Sequence, residues 1–203
     1  MASWLDSFFS FLDRFILSVC HLVAQSSFGN VLTPFFKGVS FFGYGGLGFL
    51  VIALVLVLIP KTRRAGVVMA VAIGLAVLSA ELIKLGVGRL RPYQAAANFH
   101  DWWLFVGGEE LRSSSFPSCH VAATTAACLA AFLELPKPSI VNVGFIAVLL
   151  MCFSRNYLLV HYPSDCLGGI LVGVLVAIIV HRLANTAIRM YNRRMEAKGA
   201  QDA

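Results

Sequence analysis

Apolar residues run in long blocks along the chain, broken by short polar stretches. Tyr44 to Ile59, Val67 to Ile83, Ile140 to Phe153 and Cys166 to Val180 are nearly uninterrupted, and a further block opens at Pro117–His120 and runs to Leu135. Such blocks predict helices that cross a membrane, since a helix rises about 1.5 Å per residue and the hydrocarbon layer is about 30 Å thick. Ahead of them, Phe8, Phe9, Leu12, Phe15, Ile16, Val19, Leu22 and Val23 recur at helical spacing, interrupted by Asp6, Asp13, Arg14 and His21. That pattern fits an amphipathic helix lying on the membrane or a first span, and it leaves both open. Phe28 to Phe42, with Pro34 and Gly38, reads as a linking segment. The glycines around Tyr44 are expected to allow close helix packing. The expected architecture is therefore an all-α, polytopic membrane bundle of five to six transmembrane helices. Residues 1–42 form an N-terminal helix and linker, 43–188 the bundle, and 189–203 a basic cytoplasmic tail.

Composition strengthens this picture. Of 203 residues, 59% are hydrophobic and 13% charged, against about 25% charged in soluble domains. The net charge of +6 is explained by cytoplasmic loops, and no nucleic-acid-binding motif or single basic patch is present. Lys61, Arg63, Arg64 and Lys137 sit in short turns, and Arg182, Arg189, Arg193, Arg194 and Lys198 follow the last block. If the spans alternate, these lie on one side, which the positive-inside rule makes cytoplasmic. Acidic Asp6 and Asp13 stand where a cleavable signal peptide carries basic residues, so insertion is expected to rely on the spans. Of the five cysteines, Cys20, Cys128, Cys152 and Cys166 read as small buried hydrophobes. In the long polar connection Pro92–Phe116, which holds His100, Asp101, Glu109, Glu110 and Arg112, Trp102 and Trp103 read as an interfacial anchor.

The opposite side receives the reactive residues. In KLGVGRLRP, Lys84 and Arg91 are seven apart, about two helical turns, so both are expected on one helical face and Arg89 is expected to point elsewhere as a structural residue. In SFPSCH, Pro117 precedes a helix, whose first N–H groups (Ser118, Cys119, His120) make an anion cradle. In SRNYLLVHYPSD, Pro163 suits a first helical position, which puts Asp165 one turn in and within reach of the His161 imidazole. Three cations (Lys84, Arg91, Arg155), a helix N-terminus and two histidines suit a phosphate.

This constellation resembles the type 2 phosphatidic acid phosphatase superfamily. Its pattern is K-x-x-x-x-x-x-R-P, then P-S-G-H, then S-R-x-x-x-x-x-H-x-x-x-D. Lys84 with Arg91-Pro92 matches the first, and Ser154-Arg155, His161 and Asp165 match the third. Pro117, Ser118 and His120 match the second, with Cys119 in place of the usual glycine. The resemblance implies that His161 attacks phosphorus to give a phosphohistidine and that Asp165 holds its tautomer. His120 would protonate the leaving group and then activate water. Lys84, Arg91, Arg155, Ser118 and backbone N–H groups near Cys119 would bind the phosphate. It implies no metal and no cofactor. Soluble acid phosphatases and vanadium-dependent haloperoxidases share the motifs, but the apolar spans argue against both. The expected enzyme is a phosphatase of the cell membrane (inner or plasma) with its active site at the extracytoplasmic end. Its substrate would be a lipid phosphate such as undecaprenyl diphosphate, phosphatidylglycerophosphate, phosphatidate or a lipid A phosphate. Alternatives are a lipid phosphotransferase using the same intermediate, or a non-enzymatic transporter or assembly protein.

Overall fold

The computed structural model describes residues 3–108 and 110–201; Met1, Ala2, Glu109, Asp202 and Ala203 lie outside the described residues. The regular elements among them are helices: α1 (Ser3–Gln25), α2 (Gly29–Gly43), α3 (Leu47–Leu58), α4 (Arg63–Val87), α5 (Pro92–Ala95), α6 (Ala97–Phe105), α7 (Cys119–Glu134), α8 (Pro138–Tyr157) and α9 (Pro163–Gln201). Five stretches are long and apolar enough to cross a membrane: Asp6–Gln25, Gly29–Leu58, Arg63–Ala95, Pro138–Tyr157 and Pro163–Lys198. Their outward faces carry large apolar side chains, among them Leu54, Leu78, Leu85, Phe145, Leu171 and Ile179. Such a surface suits contact with lipid. The protein is a multi-pass, all-α membrane protein.

The shorter α7 is the hub. Ala122, Ala123, Ala126, Ala127 and Ala130 are fully buried in it, and their small side chains let α4 and α9 approach closely. On α9 the approach is backbone to backbone. A Cβ at Gly169 would stand 2.6 Å from the Ser118 carbonyl oxygen, and one at Gly173 would stand 2.6 Å from that of Ala122. This packing locks the first turn of α9 beside the first turn of α7. At the far end, Glu134 of α7 takes the Arg64 guanidinium at 2.8 Å and the His181 ring at 2.7 Å, tying α4, α7 and α9 together.

Three features differ from the sequence expectation. The segment Phe28 to Phe42 is mostly helix, α2, despite Pro34 and Gly38. Tertiary contacts outweigh local propensity there: Thr33 Oγ1 is 2.7 Å from the Tyr157 hydroxyl, Ser154 donates to the Phe36 carbonyl at 2.7 Å, and the Phe36 ring packs on Tyr157. The break falls later, at Gly45 (φ +56°) and Gly46 (φ +78°), values that glycine adopts without a steric penalty, so α3 starts at Leu47. Finally, Trp102 is buried, with its ring 4.7 Å from that of His21, and Trp103 stacks on Tyr93 at 4.6 Å. Trp102 fastens the Pro92–Phe116 connection to α1, and Trp103 packs within it.

Helix α1 lies against the same end of the bundle. Its buried face is Asp13, Leu17, Cys20 and Ala24. The apolar members pack with Tyr93, Trp102, Val106 and residues 157–160, which are the connections after α4 and α8. Phe8, Phe11, Phe15 and Leu22 face outward.

Candidate active site

Helix α4 stops at Val87, one residue before Gly88, whose φ of +63° makes the left-handed cap. Pro92 then favours extended backbone before it, and Arg91 has φ −78° and ψ 156°. Lys84 and Arg91 therefore do not share a helical face. They meet through Ser113 in the connection before α7. Lys84 Nζ reaches Ser113 Oγ at 3.4 Å, and Arg91 donates to the same oxygen at 3.2 Å and to the Ser113 carbonyl at 2.9 Å. In extended chain, positions two apart point the same way. Arg89 and Arg91 both turn inward, 3% and 1% exposed, while Leu90 between them is 61% exposed. The expectation that Arg89 points away from the site is thus corrected.

His161 sits in the short connection between α8 and α9. The connection is held by N–H bonds from Val160 and His161 to the Arg155 carbonyl, and by Leu159, fully buried with φ +55°. A non-glycine residue in that region costs about 1–2 kcal/mol, and the burial of Leu159 offsets it. The His161 Nε2 atom lies 3.4 Å from Arg91 Nη1, and Arg91 also donates to the Val160 carbonyl at 2.7 Å. Burial first, and then the charges of Arg91, Arg155 and Lys84, hold the imidazole well below its ordinary value. It is neutral, so a ring nitrogen keeps its lone pair. Nδ1 lies 3.5 Å from Asp165 Oδ2, too long for a full hydrogen bond.

Asp165 is in the first turn of α9, as its spacing from Pro163 predicts. Its Oδ2 accepts from the Tyr162 N–H at 2.8 Å and from the Ser115 hydroxyl. Its Oδ1 accepts from Arg89 at 2.6 Å. Ser118, before α7, has a fully buried hydroxyl without a partner among the described residues. Its N–H is not free for a ligand, because it donates to the Asp165 carbonyl at 3.0 Å. The Cys119 thiol reaches Glu81 Oε1 at 2.9 Å, and the same oxygen takes Lys84 Nζ at 2.8 Å. His120 is half-buried, edge-on to Tyr44, and feels the charges of Arg155, Lys84 and Arg91 together with His161. Arg155 donates to the Ser40 hydroxyl of α2 and lines a cavity of about 470 Å³. The residues predicted from the three motifs thus gather at one end of the bundle.

Residues 65–189 match the model of the PAP2 superfamily. The chain belongs to that superfamily. It is 35% identical over 147 residues to the decaprenylphosphoryl-5-phosphoribose phosphatase of Mycobacterium tuberculosis, covering 71% of this chain and 76% of that one. It is 24% identical over 135 residues to an undecaprenyl-diphosphatase of Sulfolobus acidocaldarius, covering 66% and 63%. Its fold is similar to that of a transmembrane PAP2 type phosphatidylglycerolphosphate phosphatase from Bacillus subtilis (TM-score 0.67, 24% identity, covering 87% of this chain and 86% of that one). It also resembles LpxE of Aquifex aeolicus (TM-score 0.63, 22% identity, covering 84% and 95%). With the PAP2 motif residues present, this chain is an enzyme of the phosphatase class.

The PAP2 match begins beyond α1, yet α1 reaches into the site. Arg89 donates to Asp13 Oδ2 and Asp6 Oδ1, each at 2.9 Å, and to Ser164 Oγ at 2.7 Å, besides Asp165, with its guanidinium 4.1 Å from the Tyr162 ring centroid. Burial pushes the Tyr162 phenol up to about 12, so it stays neutral under that cation. Asp13 in turn accepts from the Ser164 N–H at 2.9 Å and its hydroxyl at 2.7 Å. In sequence Asp6 and Asp13 read as interruptions of an apolar helix and as acidic residues unlike a signal peptide's, not as partners of the site. Sequence reasoning also missed Ser113, Ser114 and Ser115. Ser114 Oγ accepts from the Arg89 N–H at 2.9 Å, so the triplet connects successively to Arg91, Arg89 and Asp165. The run SSSFPSC was the signal available for it.

Proposed function

We propose that this protein hydrolyses a membrane lipid phosphate, monoester or diphosphate, through a phosphohistidine on His161. The observation that carries the reading is the placement of the buried His161 ring, with Nε2 3.4 Å from Arg91 Nη1 and Nδ1 3.5 Å from Asp165 Oδ2. In the reaction, Nε2 attacks phosphorus while the bond to the leaving oxygen breaks, and His120, protonated once the substrate's negative charge offsets the surrounding cations, gives that oxygen its proton. Asp165 beside Nδ1 keeps the proton on that nitrogen and steadies the ring as charge develops. His120, now a base, takes a proton from water, which attacks the phosphohistidine and releases phosphate. Lys84, Arg91, Arg155, the Ser118 hydroxyl and the first N–H groups of α7 near Cys119 stabilise charge on the equatorial oxygens.

The basic residues near Lys61 and Lys137 and at the end of α9 lie at the end of the bundle away from the site. The positive-inside rule then favours a site facing outside or the periplasm, in a cell membrane. The names of the two relatives favour a polyprenyl-linked phosphate among the candidate substrates.

The test is phosphate release by the purified protein in detergent, from polyprenyl diphosphate, phosphatidylglycerophosphate and phosphatidate, with EDTA present. Free phosphate is expected from at least one of them. A strict metal requirement, or phosphate appearing on an acceptor lipid and not in solution, would overturn the reading. The pH profile gives a second expectation. His161 must be neutral to attack, and its site holds it neutral below the ordinary histidine value of about 6.5. The acid-side fall in kcat/KM is therefore expected to begin below pH of about 6.5. A fall complete by neutrality would contradict the nucleophile's environment.

A further inference from the structure

We infer that Lys37 forms a second anion subsite, next to the phosphate site, that reads a further phosphoryl group on the substrate headgroup. The inference rests on the phosphatase reading above. Lys37 is the single charged residue in the apolar stretch Gly29–Leu58. Lys37 is exposed, and a lysine kept in such a stretch points to an anion that meets it. Among the described residues no carboxylate lies within ion-pair distance of it.

Its position is set by α2. Thr33, Phe36 and Ser40 contact the end of α8, through Tyr157, Ser154 and Arg155 respectively. Lys37 is three residues before Ser40 and four after Thr33, so it shares that face. It lines the same cavity of about 470 Å³ as Ser40 and Arg155. That volume is ample for a headgroup, since small-molecule sites run to about 300–1,000 Å³. The Lys37 ammonium rests against Gly107, another residue lining the cavity, where a Cβ would stand 2.7 Å from Nζ. With φ +62° Gly107 is also a position that other residues rarely adopt, so the backbone there leaves room for the ammonium.

The chemistry follows from charge placement. The phosphoryl group under attack is neutralised by Lys84, Arg91 and Arg155. A second phosphoryl group on the headgroup would extend past those cations into the cavity, where Lys37 lines the wall together with Arg155. Two headgroup types fit: a diphosphate, and a phosphomonoester separated by a sugar from a phosphodiester.

The experiment measures kcat/KM of the purified protein on three lipids with one prenyl chain: the monophosphate, the diphosphate, and a phosphosugar phosphodiester ending in a monoester. The quantity read is the preference for each doubly charged lipid over the monophosphate. In Lys37→Gln that preference is expected to fall about tenfold, the scale of one charge-assisted hydrogen bond, and in Lys37→Arg it is expected to be largely kept. Which lipid shows the fall tells the two headgroup types apart. If Lys37 serves only to anchor α2 among bilayer headgroups, the substitution alters all three rates alike. A preference within twofold of wild type for both doubly charged lipids therefore overturns the inference alone. Wild-type protein that releases phosphate from neither doubly charged lipid overturns the inference, and release from none of the three and from neither phosphatidate nor phosphatidylglycerophosphate overturns the lipid-phosphate reading with it.

Discussion

His161→Ala is expected to lower phosphate release on the order of 10⁴-fold or more while leaving the fold intact. The size of the loss follows from the proposed route. Without the ring there is no P–N bond to form, and the cations that remain can bind phosphate but offer water no path through a covalent intermediate. The fold should survive because the connection is held by other groups. Leu159 and Val160 are buried against α1 and the Pro92–Phe116 connection, and the backbone bonds to the Arg155 carbonyl do not involve the imidazole. The removed ring makes long contacts to Arg91 and Asp165, at 3.4 and 3.5 Å, and meets the Ser115 backbone, and Arg91 keeps its bonds to Val160 and Ser113. Two measurements are needed. Trapping with labelled substrate in an alkaline detergent quench should give a base-stable, acid-labile phosphoprotein in the wild type and none in the variant, and the unfolding midpoint in detergent should stay close to that of the wild type. A variant that still hydrolyses lipid phosphate at near the wild-type rate, at any unfolding midpoint, would remove His161 from the mechanism.

Sequence reached the motif residues because each stands beside a helix end that is itself legible. Pro163 marks the start of α9 and carries Asp165 with it. Pro117 marks the approach to α7. What sequence could not reach depends on contacts between distant segments. A helical repeat carried past Gly88 puts Lys84 and Arg91 together for the wrong reason. The same error sent Arg89 away from the site, since a period of 3.6 and a period of two give opposite answers for a residue two positions from Arg91. Asp13 is 76 residues from Arg89 along the chain, and nothing local to α1 announces that its acidic positions meet a guanidinium. Helix α2 was hidden because Pro34 and Gly38 lower its local propensity, and only its contacts with Tyr157, Ser154 and Arg155 make it helix. Cys119 shows a related limit. The departure from glycine was visible, but the carboxylate that receives its thiol, Glu81, is recognisable only once α4 and α7 are side by side.

Arg89→Met is expected to cost about 3–5 kcal/mol of stability, the range for removing one partner of a buried ion pair, and to reduce activity at temperatures where the variant is still folded. Arg89 is 3% exposed and its carboxylate neighbours Asp13 and Asp165 are 4% and 0% exposed. Water cannot replace the guanidinium around them, so both carboxylates would be left buried with fewer donors and no adjacent cation. Asp13 retains its two bonds from Ser164, and Asp165 retains those from Tyr162 and Ser115. The loss falls on charge more than on hydrogen bonding. Because Asp165 stands beside Nδ1 of His161, any shift of its carboxylate also turns the nucleophile, which is why activity should fall ahead of unfolding. Adding Asp13→Asn to Arg89→Met removes one of the two uncompensated charges. The double variant should then be more stable than the sum of the single effects. Arg89→Lys keeps a charge but not the planar fork that serves Asp6, Asp13, Ser164 and Asp165 at once, so partial recovery is expected. Unfolding in detergent for the four variants, with kcat measured well below each midpoint, tests the network. Arg89→Met within about 1 kcal/mol of wild type would show that the ion pairs are worth no more than exposed ones. Additive effects of Arg89→Met and Asp13→Asn would show that α1 does not hold the start of α9 through Arg89.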